Sequence, residues 1–311
     1  MPTTDAAAAR AVLAALGSAG VDYALLHGGE RLDGPEPMSD IDIVVRIPPR
    51  AVITQARTEL DEGGLAPVTL RPYDIGRTAT LCVMDRRGRS GVQLDMLYDR
   101  DGIGRYHVRS GELVADPAAG KGVPSVAEAD QLVYLWAKRL AKRQEGRRLA
   151  VEASLHHLGP DAVREAARRL ITRDDWVGDL IGHRTSPRPH RRLATKRAAL
   201  EIARLGSRLV TPIGFWAHLS RGDGEVARHV AERFGRILVY ATAPRSPNAR
   251  AAWWWYARQV LPIRLRPGLV ISHGRRPRGV TAPHLVLEDG ATDVDEIGAR
   301  IMAAMSDRLG P

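Results

Sequence analysis

Apolar and polar positions along the chain follow two rhythms, and the switch between them marks the elements. Val52, Ile53, Ala56 and Leu60 recur at helical spacing from Pro49 to Glu62 and run into Gly63-Gly64, which predicts a helix closed by glycine. The Ala-rich residues 5 to 16, ended by Gly17, predict another. Val21 to Leu26 and the run ending at Val45 have the short apolar character of strands. Pro67 to Leu70, Thr78 to Met84 and Gly91 to Tyr98 add three more, the last two joined by the turn Asp85-Arg86-Arg87-Gly88. A small mixed sheet with helices follows from this order.

Residues 99 to 124 are rich in Gly and Pro and predict a β-ribbon or loop leading out of that sheet. Ser125-Val126-Ala127-Glu128 has the form of a capping box, and Leu132, Val133, Leu135, Trp136 and Leu140 continue a helix to about Gln144. Helical spacing persists through Leu149 to His157, Ala162 to Ile171 and Asp175 to Ile181, then breaks at a Pro- and Arg-rich linker from Ser186 to Arg192. From Ile213 the rhythm is strand, glycine turn, helix, followed by short buried strands and a closing amphipathic helix from Val294 to Leu309. The fold class expected is α/β in three parts: a mixed-sheet domain over 1–120, a helical domain and linker over 121–190, and a small α/β domain over 191–311.

Length and composition narrow the partners more than the fold. At 311 residues the chain can form about two full cores. No apolar run approaches the roughly 18 residues of a membrane span, and the start lacks a basic region followed by an apolar one, so no membrane partner and a cytoplasmic location are expected. Cys82 is the single cysteine; its place between Leu81 and Val83 predicts an inert core thiol. The net charge of +10 suits an anionic partner such as a nucleoside triphosphate or RNA. Four lysines among 46 basic residues leave arginine usage as an alternative source of that charge.

Candidate chemistry concentrates at Asp40 and Asp42. In a strand they project together while Ile41 and Ile43 point away, giving an oxygen-rich site of the kind that holds Mg2+ with substrate phosphates. Gly28 and Gly29 end the preceding apolar run, where bare backbone can approach a phosphate. This pattern, Gly28-Gly29, a short loop and Asp40-Ile41-Asp42-Ile43, resembles the nucleotidyltransferase superfamily. The resemblance implies a third carboxylate on a nearby strand, matched by Asp95 in VQLDMLYD. It also implies phosphate contacts from Gly28, Gly29 and Ser39, and a triphosphate contact from Lys138 or Lys142 on the helix after the sheet. Asp40, Asp42 and Asp95 would hold Mg2+ or Mn2+, and the reaction would move a nucleoside monophosphate from an NTP, best ATP, to a hydroxyl acceptor that the sequence does not identify.

The stretch GFWAHLS, then Arg221-Gly222-Asp223-Gly224, then EVARHVAERF resembles the first strand, phosphate loop and helix of thymidylate kinase-like proteins. The loop's lysine and Ser/Thr are missing and Glu225 follows Gly224, so this half reads as a degenerate kinase-like domain. Trp253-Trp254-Trp255-Tyr256 is expected to pack in a core or interface. Other readings of the whole stay open: a non-catalytic scaffold whose transferase and kinase halves are both degenerate, or a toxin-like enzyme acting on tRNA. At the bland extreme Asp40 is a turn residue, Asp42 a strand-edge charge and Asp95 surface.

Overall fold

The computed structural model describes residues 5–27, 32, 40–74, 78–98, 108–109, 112–113, 115–116, 123–141, 144–172, 174–181, 202, 214–221, 224–236, 238, 241–243, 268–274, 283–288 and 293–309. The chain is α/β, with one mixed sheet, one parallel sheet and helices on both. Helix α1 (Ala6–Ser18) starts at Asp5, whose carboxylate accepts from the N–H groups of Ala7 and Ala8. It runs through Gly17 and stops at Gly20, whose φ of 69° breaks the helix, one residue past the C-cap Ala19. Strand β1 is Tyr23–His27, β2 is Ile41–Val45, and helix α2 is Pro49–Glu62, ended at the glycine pair as the spacing predicts.

Strands β3 (Leu65–Asp74), β4 (Thr78–Asp85) and β5 (Gly91–Leu97) follow as an antiparallel meander. The turn between β4 and β5 is held by Asp85, whose carboxylate accepts from the backbone N–H groups of Arg87, Arg89 and Ser90. The Ser90 hydroxyl, which donates to the same carboxylate at 2.7 Å, and then those backbone bonds pull its pKa below the ordinary carboxylate value despite partial burial. Two short strands, β6 (Ala115–Asp116) and β7 (Ser125–Val126), complete a seven-stranded sheet in the order β3-β4-β5-β2-β1-β7-β6.

Ser125 departs from expectation. It does not cap a helix: it lies in β7, in parallel register with Leu25, whose N–H donates to Pro124 O at 2.7 Å, while the Ser125 hydroxyl donates to Val123 O. Strand pairing with β1 satisfies this backbone, and the helix opens later, as α3 over Glu128–Ala141. Helices α4 (Glu145–Leu155), α5 (Pro160–Leu170) and α6 (Asp174–Ile181) come next. The linker and the tryptophan run fall outside the described residues.

The second sheet contains β8 (Gly214–Leu219), β9 (Ala241–Thr242), β10 (Gly268–His273) and β11 (Leu285–Leu287), all parallel, in the order β11-β8-β10-β9. Helices α7 (Gly224–Gly235) and α8 (Val294–Arg308) pack on it.

Strand alternation sorts the large sheet's side chains into covers. Ile41, Ile43, Leu81, Leu94 and their in-phase neighbours bury with α1 and α2 on one face. On the other face Ala24, Leu26, Val44 and Leu97 bury under α3 to α6, while Val68, Cys82 and Met84 join the core of the C-terminal unit. That unit therefore shares a core with β3 and β4. Asp295 of α8 pins it further, pairing with Arg89 of the β4–β5 turn at 2.9 Å and with Arg233 of α7 at 2.6 Å. Among the described residues no helix is long and apolar enough to cross a membrane.

Candidate active site

Between the two covers on that second face runs a polar row that belongs to neither. Parallel pairing of β2 and β5 sets Asp42 opposite Asp95, antiparallel pairing of β5 and β4 sets Asp95 opposite Thr80, and β4 against β3 sets Thr80 opposite Arg71. Paired residues in a sheet share a face, so the four side chains form one line across four strands. Thr78 and Gln93, also buried, lie on the same face. Each carboxylate is anchored from behind, because the residues on either side of it, Ile41 and Ile43 or Leu94 and Met96, are locked into the opposite core.

Asp42 is 4% exposed and β2 is an interior strand, so it is no edge charge. Asp95 is half-buried. Asp40 precedes β2 and is exposed. Thr80 Oγ1 donates to Asp95 Oδ1 at 2.6 Å, fixing one oxygen of that carboxylate. The Asp95 carboxyl is pushed up to about 6, first by burial, then by the charge of Asp42 and more weakly by Asp40; the Thr80 hydrogen bond and the Lys138 charge pull the other way.

Lys138 comes from α3. The face of α3 turned to the core carries Val133, Trp136, Ala137 and Leu140, with Tyr134 also buried, while Leu132 and Leu135 are only partly covered. This rotation turns Lys138 to the sheet. Its Nζ lies 3.1 Å from Asp42 Oδ2 and 5.6 Å from the centre of the Tyr134 ring, and the two charged side chains are 12% and 5% exposed. Gly28, Gly29, Ser39 and Lys142 lie outside the described residues.

The donor set fits a hard divalent cation: carboxylate oxygens on neighbouring strands, one of them raised in pKa by burial and then by its neighbours' charge, the second of which a cation would relieve. Among the described residues no group of three or more His, Cys, Asp or Glu is gathered as a complete metal cage. Mg2+ is commonly held by one or two carboxylates, with substrate phosphate oxygens and waters filling the rest of its shell. Thr80 and Arg71 were missed by the sequence reading. The β4–β5 turn contained the signal for Thr80, since a hairpin's turn fixes which residue faces Asp95. No family model matches this chain, and no curated protein matches it in sequence.

Proposed function

We propose that this chain is a Mg2+-dependent nucleotidyltransferase that moves a nucleoside monophosphate, AMP being the best candidate, from an NTP to a hydroxyl. One observation carries the reading: Asp42 and Asp95 face each other on neighbouring strands, with the Lys138 ammonium on Asp42. The spacing of Asp40 and Asp42, and their resemblance to the superfamily motif, agree with it.

In this reading Asp42 and Asp95, with Asp40 just before β2, would hold Mg2+ or Mn2+. The cation, when bound, supplies Lewis acidity to the acceptor hydroxyl and neutralises phosphate charge. Lys138 provides a compact positive charge next to the carboxylates, able to move from Asp42 to a phosphate oxygen. Gly28, Gly29 and Ser39 donate to phosphate oxygens by resemblance. Asp95, beside Asp42 on the neighbouring strand, takes the acceptor's proton. The acceptor oxygen bonds to the α-phosphorus, the bond to the bridging oxygen breaks, and pyrophosphate leaves.

The parallel unit fits a degenerate kinase-like fold that supports the sheet and binds no nucleotide. Its strand order is doubly wound, and ligands of such sheets bind at the carboxyl ends of the strands. At that end Glu225 occupies the first turn of α7, and a Cβ on Gly224 would lie 3.0 Å from the His273 ring, so the space is filled by imidazole. Incubating the full-length protein with α-labelled NTPs, Mg2+ and a cell extract tests the transferase reading. Label should move to an acceptor with wild type and not with Asp42→Asn; equal transfer by both, or no Mg2+-dependent ATP binding by wild type, would overturn it.

A further inference from the structure

Within the polar row Asp95 is gripped from one side. Thr80 stands directly opposite it in the antiparallel register of β4 and β5, and Thr80 Oγ1 donates to Asp95 Oδ1 at 2.6 Å. Asp42 stands on its other side, in the parallel register of β2 and β5. The χ1 of a threonine is stiff because its Cβ is branched, whereas the χ2 of an aspartate is broad and roughly two-fold. The hydroxyl therefore decides where the carboxylate plane comes to rest. Thr80 is 5% exposed, so its hydroxyl is shielded from bulk water that would compete for the bond. Thr78 gives the contrast on the same strand and face: it too is buried, and its Oγ1 has no hydrogen-bond partner among the described residues.

We infer that Thr80 is a positioning residue that leaves Asp95 one oxygen to offer a cation, and that this makes the site favour Mg2+ or Mn2+ over the larger Ca2+. The inference rests on the transferase reading for a divalent cation at these carboxylates. With Oδ1 drawn toward β4, Oδ2 is the oxygen left for the Asp42 side of the row. A small octahedral cation such as Mg2+, with ligands at about 2.0–2.1 Å, is served by single oxygens. Ca2+ takes about six to eight ligands at roughly 2.3–2.6 Å and often grips a carboxylate by both oxygens. For Asp95 to offer both, the Thr80 bond must break on a buried threonine, and a bond to a charged acceptor is among the stronger ones. Thr80 acts only through Asp95. Removing a hydrogen-bond partner of this kind behind a metal-holding side chain changes affinity by roughly 10–100-fold.

Titration of the full-length protein with Mn2+, followed by electron paramagnetic resonance, and displacement of that Mn2+ by Ca2+ give the ratio of the two affinities. Both are run with and without a non-hydrolysable ATP analogue, whose own metal binding is subtracted. Wild type should prefer Mn2+. Thr80→Val keeps the shape, removes the donor and should narrow the preference about 10-fold. Thr80→Ser, which keeps a hydroxyl, and Thr78→Val, which removes the unpartnered one, should both stay at the wild-type ratio. Should the valine variant not fold by circular dichroism, Thr80→Cys, whose S–H is a weak donor, has to narrow the preference in its place. A preference absent from wild type or unchanged in the Thr80 variant without a hydroxyl, an equal change in Thr78→Val, or failure of Thr80→Ser to keep the ratio overturns the inference and leaves the transferase reading standing. No Mn2+ binding by wild type, with or without the analogue, overturns the transferase reading and this inference with it.

Discussion

Replacing Asp95 by Asn should make the protein more stable at alkaline pH, even as it removes the proposed activity. The carboxyl is raised from its ordinary 3.8 to about 6 in the folded protein, first by burial and then by the charge of Asp42. A raised carboxylate binds more protons folded than unfolded between those two values, so stability falls as pH rises through that window. Well below pH 4 both states are protonated and the site costs nothing. Above about pH 6 the folded protein carries the full cost, on the order of 2–3 kcal/mol. Asparagine keeps the volume, its oxygen still accepts from Thr80, and its amide lies opposite the Asp42 carboxylate as an acceptor. Urea unfolding of both proteins in EDTA, at intervals from pH 4 to pH 8, measures the difference while titrations common to both cancel. The variant should gain about 2–3 kcal/mol at pH 8 and nearly nothing at pH 4. A difference that does not change with pH, or a variant less stable than wild type at pH 8, would refute the account of Asp95.

Lys138→Met should cost about 3 kcal/mol in metal-free buffer, because it removes an ammonium held 3.1 Å from a nearly buried carboxylate. Asp42→Asn added to it should recover most of that loss, and a double-mutant cycle by urea unfolding that shows simple additivity would refute the pair's importance. Cys82 is 3% exposed and its thiol is pushed up to about 11, chiefly by burial. An aromatic disulfide reagent at pH 8 should leave it unmodified in the native protein and label it fully in urea; prompt native labelling would mean that β4 is not covered by the C-terminal unit.

Local periodicity and punctuation were enough to determine α2 to the residue, the hairpin of β4 and β5, the strands carrying Asp42 and Asp95, and the burial of Cys82. These follow from contacts within a few residues, where side-chain alternation and glycine or aspartate at the ends decide the outcome. Ser125 shows the limit of that logic. Its capping-box spacing is a local signal, and a hydrogen-bonded partner a hundred residues away in β1 outweighed it. The approach of Lys138 to Asp42 spans 96 residues and depends on how α3 is rotated, which packing of Trp136 and Val133 sets and no run of sequence states. Arg71 reaches the row only because three successive strand registers add up. Alternation tells which face of a strand a residue takes; it does not tell what covers that face. Here α3 to α6 cover one end, the C-terminal unit covers the other, and the polar strip left between them lies where neither apolar cluster reaches.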